Sequence, residues 1–122
     1  MHIEQLREFC IRKNGATEEF PFDEVTLVFK VKGKMFALTS LAKWEKGDNS
    51  LNLKCNPDRA EKLRNEYESV QPGWHMNKKH WNTVTLNNDV SDDLAFELIT
   101  HSYNLVIKGL SKKVQEELIK QL

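Results

Sequence analysis

Residues 73–81, with the sequence GWHMNKKHW, place two lysines and two histidines between two tryptophans and contain no acidic residue. Lysine side chains bind phosphate oxygens without reading a base sequence, and aromatic rings stack on exposed bases. Histidine imidazoles also ligate zinc. The segment therefore suggests a nucleic-acid contact, a metal site or a turn with a solvated outer face.

Metal binding and catalysis are disfavoured by the residues around these side chains. Zinc takes three or four ligands, but no Cys, Asp or Glu stands near His75 and His80 in the sequence. Cys10 and Cys55 fall at inward positions of a predicted helix and strand, which is typical of reduced core thiols. The chain also lacks a phosphate-binding glycine loop and a G-x-S-x-G motif. We therefore expect no metal, no cofactor and no enzymatic activity.

A second acid-free stretch, residues 25–44, contains a lysine-rich predicted hairpin. The two stretches and one further strand lysine could form a surface that binds phosphate and stacks bases. Its candidate members are Lys30, Lys32, Lys34, Lys54, Trp74, His75, Lys78, Lys79, His80 and Trp81. The structural alternative is that Trp81 packs against the sheet and the lysines only form a hydrated surface that binds no ligand.

The composition limits how strong such binding can be. The 122 residues are 39% hydrophobic and 30% charged, which is typical of a globular protein, and the length fits a single domain over residues 1–122. Basic and acidic residues each number 18, so the formal net charge is zero. A strong polyanion binder usually carries a basic excess, so we expect any DNA contact to be weak and salt-sensitive.

The sequence also predicts where the protein works. No apolar run is long enough to span a bilayer, so we expect no membrane association. The mixed, charged N-terminus MHIEQLREFC does not resemble a signal peptide. We therefore expect a cytoplasmic protein.

Hydrophobic periodicity predicts helices and strands in a definite order. Residues 25–40 alternate as a hairpin, for which Gly33 and Lys34 are predicted to supply a type II′ turn. Another strand covers residues 51–55, residues 71–80 form a turn region, and WNTVTL forms a later strand. Helices are predicted near the N-terminus and after caps at Asn56, Ser91 and Ser111.

This order predicts an α+β fold with two layers. An antiparallel sheet is covered by helices on one face, in the order α-β(3–4)-α-β(1–2)-α-α. The opposite face is expected to remain wet and to display Lys30, Lys32 and Lys54.

Several segments together resemble the MmcQ/YjbR-like family. They are NGATEEFPF, GKMFAL, NPDRAEKLR, HMNKKHW and SYNLVIKGLSKK, which follow in the right order across nearly the whole chain. The resemblance implies a small bacterial cytoplasmic protein, generally described as DNA-binding, with a two-layer fold like that of type III secretion chaperones. It also implies a double-wing mode of DNA contact.

Two segments correspond to the wings that this resemblance implies. The first is the hairpin Lys32-Gly33-Lys34 with Lys30 behind it, and the second is the turn Asn77-Lys78-Lys79-His80. The chaperone-like fold also leaves open a protein-interaction module that binds no nucleic acid. Such a module predicts an exposed apolar patch or a homodimer, and the oligomeric state stays open.

Overall fold

The computed structural model describes residues 1–120, which form five helices and six strands. In chain order these are α1 (Ile3–Ile11), β1 (Ala16–Glu19), β2 (Thr26–Val31), β3 (Lys34–Ser40), α2 (Leu41–Glu45), β4 (Ser50–Lys54), α3 (Pro57–Glu66), β5 (Val70–Pro72), β6 (Trp81–Thr85), α4 (Asp92–Lys108) and α5 (Lys112–Lys120). Two elements differ from the prediction. The short helix α2 ends inside a segment predicted to be a polar loop, and β5 overlaps the predicted turn region.

The strands form one antiparallel sheet in the order β1-β2-β3-β4-β6-β5. The main core lies on the helix-covered face, where Phe29 and Leu53 of the sheet join Leu6, Leu63 and Ile99 of the helices. These inward positions alternate along β2 and β4, as the sequence pattern predicts, whereas a bulge between β2 and β3 brings the consecutive residues Phe36 and Ala37 into the core. The α+β class and the two-layer arrangement are confirmed.

The helix starts follow the predicted capping residues. The Asn56 side chain accepts from the amides of Asp58 and Arg59 at 3.0 and 3.3 Å, which starts α3. The hydroxyls of Ser91 and Ser111 accept from amides three residues onward in the same way. Each cap satisfies a backbone donor that has no partner inside its helix.

The β2–β3 turn differs from the prediction. Lys32 and Gly33 both have positive φ, 50° and 76°, so these two residues are the central pair, as a type I′ turn requires. The register pairs Val31 with Lys34, which leaves Lys34 inside β3 rather than in the turn. The type II′ prediction was therefore wrong, because it shifted the turn by one residue.

The face opposite the helices is only partly wet. Val28, Leu38 and Trp81 are buried there in a second apolar cluster, and Met35 and Met76 pack against it. Trp81 therefore packs at the sheet, in agreement with the structural alternative. The expectation of a fully solvated face was wrong, because the loop of residues 73–80 folds over this surface and covers it. We call this face the outer face.

A serine of α4 holds the middle of the sheet together. Strands β3 and β4 pair at only two positions and diverge toward the β2–β3 turn. The buried Ser102 hydroxyl fills the gap, since it donates to the Phe36 carbonyl oxygen at 2.5 Å and accepts from the Lys54 amide at 2.9 Å. One hydroxyl thus satisfies two backbone groups that the sheet leaves unpaired.

We expect Ser102→Ala to lower the free energy of unfolding by about 1–3 kcal/mol, because buried backbone groups would lose their partners. Urea unfolding followed by circular dichroism measures this change. Asn104→Ala, at an exposed position of the same helix, is the matched control and should change stability by less than about 0.5 kcal/mol. Equal stability of the two variants would contradict the role assigned to Ser102.

Candidate nucleic-acid interface

Antiparallel pairing places the chain's connections at two opposite ends of the sheet. The β2–β3 turn lies at one end, together with the β4–α3, α1–β1 and α4–α5 connections. The loop of residues 73–80 also leaves and rejoins the sheet at this end, although its first part folds back over the outer face. We call this end the basic end. The two lysine-rich segments singled out in the sequence therefore lie at the same end of one sheet.

The charges of the connections are divided between the two ends. The basic end has no acidic residue in its connections, which carry Arg12, Lys13, Lys32, Lys78 and Lys79. The opposite end holds the acidic residues that lie in connections, which are Asp23, Glu24, Asp48, Glu68 and Asp89. The zero net charge thus conceals a separation of charge along the strand direction, and it is this local distribution that acts on a charged ligand.

Four lysines at the basic end can reach a ligand. Lys32, Lys34 and Lys79 are exposed and Lys54 is half-buried, and none of them forms an ion pair with another residue of the described chain. Lys34 and Lys54 line one depression of about 330 Å³ beside the C-terminal end of α4.

Other cations at this end already have partners. Arg12 pairs with Glu8 at 2.6 Å, one turn earlier in α1. The Lys13 ammonium donates to the Thr100 hydroxyl at 2.7 Å. The interface is therefore best defined by Lys32, Lys34, Lys54 and Lys79, with the half-buried His80 beside them.

Three more predicted residues have structural contacts of their own. Lys30 lies on the outer face, with its ammonium 3.6 Å from a Glu19 carboxylate oxygen. The Lys78 ammonium donates to the Gly73 carbonyl oxygen at 3.0 Å, so it stabilises its own loop. Asn77 shapes that loop, because its side chain accepts from the amide of residue 79 at 3.0 Å.

Trp74 and His75 lie away from the basic end, on the outer face. Their rings stack with centroids 4.4 Å apart, and His75 has the left-handed backbone conformation, with φ of 60°. They form one wall of a groove of about 670 Å³, and the opposite wall comes from Phe22 and Val25. We call this the outer groove. The predicted residues thus separate into the basic end, the outer groove, and the structural contacts of Lys30, Asn77, Lys78 and Trp81.

Two residues not singled out in the sequence hold the loop in place. Gly73 is buried, and a Cβ atom added there would lie 2.7 Å from the Trp81 Cβ atom. Arg64 of α3 donates to the Asn82 side chain at 2.7 Å, to the Trp81 carbonyl oxygen at 3.2 Å and to the Lys78 carbonyl oxygen. Gly73, which stands between a proline and a tryptophan, could have been recognised in the sequence as a point of close backbone contact. No sequence feature indicates the role of Arg64.

The remaining reactive side chains lie in structural settings. Both cysteines are buried, and burial raises the pKa of Cys10 to about 12, so its nucleophilic thiolate form is disfavoured. Burial also lowers the pKa of His101, whose Nε2 atom accepts from the Asn56 amide at 3.2 Å. Within residues 1–120, no three His, Cys, Asp or Glu side chains are grouped closely enough to hold a metal ion.

The fold and this surface define a class of protein: a two-layer α+β domain with an open antiparallel sheet and one basic end. The family model described as YjbR matches residues 11–105, and the chain belongs to the YjbR family. The family resemblance noted in the sequence is thereby confirmed.

Two relatives and one solved structure show how far the similarity extends. The chain is 30% identical to the uncharacterized protein YjbR of Escherichia coli K12 over 119 residues, which cover 98% of both chains. It is 40% identical to the uncharacterized protein YbdF of Escherichia coli O157:H7, over 80% of this chain and 77% of that protein. The crystal structure of Deinococcus radiodurans protein DR2400, with a DUF419 domain, matches with a TM-score of 0.88 and 43% identity, over 96% of this chain and 87% of that chain.

None of the helices in residues 1–120 is long and apolar enough to cross a membrane.

Proposed function

We propose that the protein binds duplex DNA through the basic end, weakly and without base-sequence specificity. The observation that carries this proposal is the convergence of two lysine-rich segments at one end of the sheet, in connections that contain no acidic residue. Lysine contacts to phosphate supply affinity but carry no sequence information. We propose a binding role rather than catalysis, because the candidate surface consists of cations without an activated nucleophile.

The spacing of the two segments suits a double helix. Strand β4 alone separates the β2–β3 hairpin from β6, which begins where the loop of residues 73–80 ends. Paired strands lie about 4.8 Å apart, and β3 and β4 diverge at this end, so the two segments are at least roughly 10 Å apart. This is comparable to the width of the major groove, about 12 Å, so the segments can contact phosphates on both sides of one groove.

The proposal predicts a steep but limited dependence on salt. If Lys32, Lys34, Lys54 and Lys79 each neutralise one phosphate, log affinity should fall with log salt concentration with a slope of about −3 to −4. Fluorescence anisotropy of a labelled duplex of mixed sequence, measured at several low salt concentrations, gives this slope directly.

Two comparisons in the same experiment separate the proposed contact from other kinds of binding. Duplexes of unrelated sequence should bind with similar affinity, because phosphate contacts do not distinguish bases. A slope near zero, or no binding even at the lowest salt concentration, would contradict the proposal. A strong preference for one duplex sequence would contradict binding without base-sequence specificity.

A further inference from the structure

The loop of residues 73–80 is fixed on the outer face by specific contacts. The Trp74 backbone amide donates to the Thr83 hydroxyl at 2.9 Å. The Trp74 carbonyl oxygen accepts from the side-chain nitrogen Nδ2 of Asn52 at 3.3 Å. Thr83 in turn donates to the Asn52 side-chain oxygen at 2.5 Å. Met76 packs onto the apolar cluster of the outer face. One wall of the outer groove is thus held in position without any ligand.

The opposite wall of the groove is also preformed. The Asp23 carboxylate accepts from the amides of Val25 and Thr26 at 2.9 and 2.6 Å and from the Thr26 hydroxyl at 3.0 Å. These hydrogen bonds fix the turn that carries Phe22. The Phe22 side chain cannot reach the core from this turn and remains 63% exposed.

Three of the six large apolar side chains that are exposed in residues 1–120 line this groove. Phe22, Val25 and Trp74 are 63%, 41% and 53% exposed, and all three line it, while Met35 and Leu38 form part of its floor. Apolar area left in contact with water on both sides of one depression is typical of a binding site. The volume of about 670 Å³ lies within the usual range of small-ligand sites, roughly 300–1,000 Å³.

A single cation supplies the charge of the groove. The Lys43 ammonium lies 3.4 Å from the centroid of the Trp74 ring, and no carboxylate of residues 1–120 forms an ion pair with it. The acid inside the groove is Asp23, whose oxygens already accept from Val25 and Thr26. Asp48 lines a neighbouring depression beside Lys43 rather than the groove itself. An anionic group of a ligand would therefore meet Lys43 beside an aromatic wall.

We propose that the outer groove binds a small molecule that combines a planar aromatic ring with an anionic group. The ring packs between Phe22 and the stacked Trp74 and His75 rings, and the anion pairs with Lys43, whose ammonium moves off the Trp74 ring to meet it. The aromatic walls select a flat ring, since rings pack against one another in stacked or edge-to-face geometry. This site is separate from the basic end, and the proposal does not rest on DNA binding.

Naphthoate is a suitable probe, because it carries one planar ring system and one carboxylate. We expect it to bind at one saturable site, measured by calorimetry, and to shift the amide resonances of Trp74, His75 and Lys43. The neutral isostere naphthamide and the non-aromatic anion cyclohexanecarboxylate should each bind at least about fivefold more weakly. The Lys34→Glu, Lys79→Glu double variant should bind naphthoate like the wild type, which distinguishes this site from the basic end.

Variants test each wall and the cation separately. Trp74→Ala should weaken naphthoate binding about tenfold or more. It leaves the loop intact, because Thr83 and Asn52 contact the Trp74 backbone only. Phe22→Ala, at an exposed position, should weaken binding without affecting folding. Lys43→Gln should remove the preference for naphthoate over naphthamide, and Lys43→Arg should retain it.

Two outcomes would overturn the proposal. One is the absence of saturable naphthoate binding, or binding that neither Trp74→Ala nor Phe22→Ala weakens. The other is that a short single-stranded oligonucleotide shifts the groove resonances while naphthoate does not. That second result would assign the groove to a nucleic-acid strand rather than to a free small molecule.

Discussion

Lys34→Glu combined with Lys79→Glu is expected to lower the affinity for duplex DNA about a hundredfold or more at 50 mM salt. Each lysine–phosphate contact contributes about tenfold or slightly more at this salt concentration, because its formation releases a counterion. The two substitutions remove one contact from each basic segment. Glutamate at position 34 would also face Lys54, since residues 34 and 54 line the same depression, so a third contact is weakened. Anisotropy titrations of wild type and variant measure the loss.

A control double variant has the same net charge as the Lys34→Glu, Lys79→Glu variant. Lys46→Glu combined with Lys62→Glu changes the net charge by the same amount, at exposed positions of the α2 C-terminus and of α3. This control should lose less than about threefold in affinity, because it leaves the basic end unchanged and affects only the long-range field. Equal losses in the two double variants would show that total charge, rather than the basic end, governs binding.

Gly73→Ala is expected to lower the free energy of unfolding by about 1–3 kcal/mol or more and to abolish naphthoate binding at the outer groove. An alanine Cβ atom at this position would lie 2.7, 2.9 and 3.0 Å from the Cβ, carbonyl oxygen and carbonyl carbon of Trp81. The contacted atoms are backbone atoms or a Cβ atom that the sheet fixes, so the loop of residues 73–80 must move instead. Urea unfolding and calorimetry measure the two effects.

Gly109→Ala provides the comparison. Gly109 has φ of −78°, and an added Cβ atom there would meet only carbonyl oxygens, at 3.4 and 3.9 Å. Alanine is compatible with this conformation and should leave stability unchanged or raise it slightly. If Gly73→Ala is tolerated as well as Gly109→Ala, the close approach of residue 73 to Trp81 does not constrain the loop.

Local patterns in the sequence predicted most of the fold. Alternation in residues 25–40 predicted the hairpin, and the caps at Asn56, Ser91 and Ser111 predicted the starts of three helices, because these signals depend on nearby residues alone. The predicted β2–β3 turn was shifted by one residue, to Gly33 and Lys34 instead of Lys32 and Gly33. Glycine at position 33 suits either of the two central positions of a two-residue turn, so the local sequence did not fix the turn. The pairing of Val31 with Lys34 fixes it at Lys32 and Gly33.

The candidate site depended on contacts that local patterns cannot show. The basic and aromatic residues could be identified from the sequence. Their division between the basic end and the outer groove could not be predicted from it. That division arises because the loop of residues 73–80 folds back over the sheet, held by Gly73 against Trp81 and by Arg64 from a distant helix. Lys43 and Phe22 were missed for the same reason, since both are distant from Trp74 in the sequence and line the same groove only in the folded chain.

The most direct test of the central claim is to map the DNA contact on the protein. Isotope-labelled protein would be titrated with a short mixed-sequence duplex at low salt, and the amide chemical-shift changes recorded. We predict the largest changes at Lys32, Gly33, Lys34, Lys54 and Lys79, all of which disappear as salt is raised. Largest changes in the outer groove or at the end of the sheet opposite the basic end, or no changes at any duplex concentration, would contradict DNA binding through the basic end.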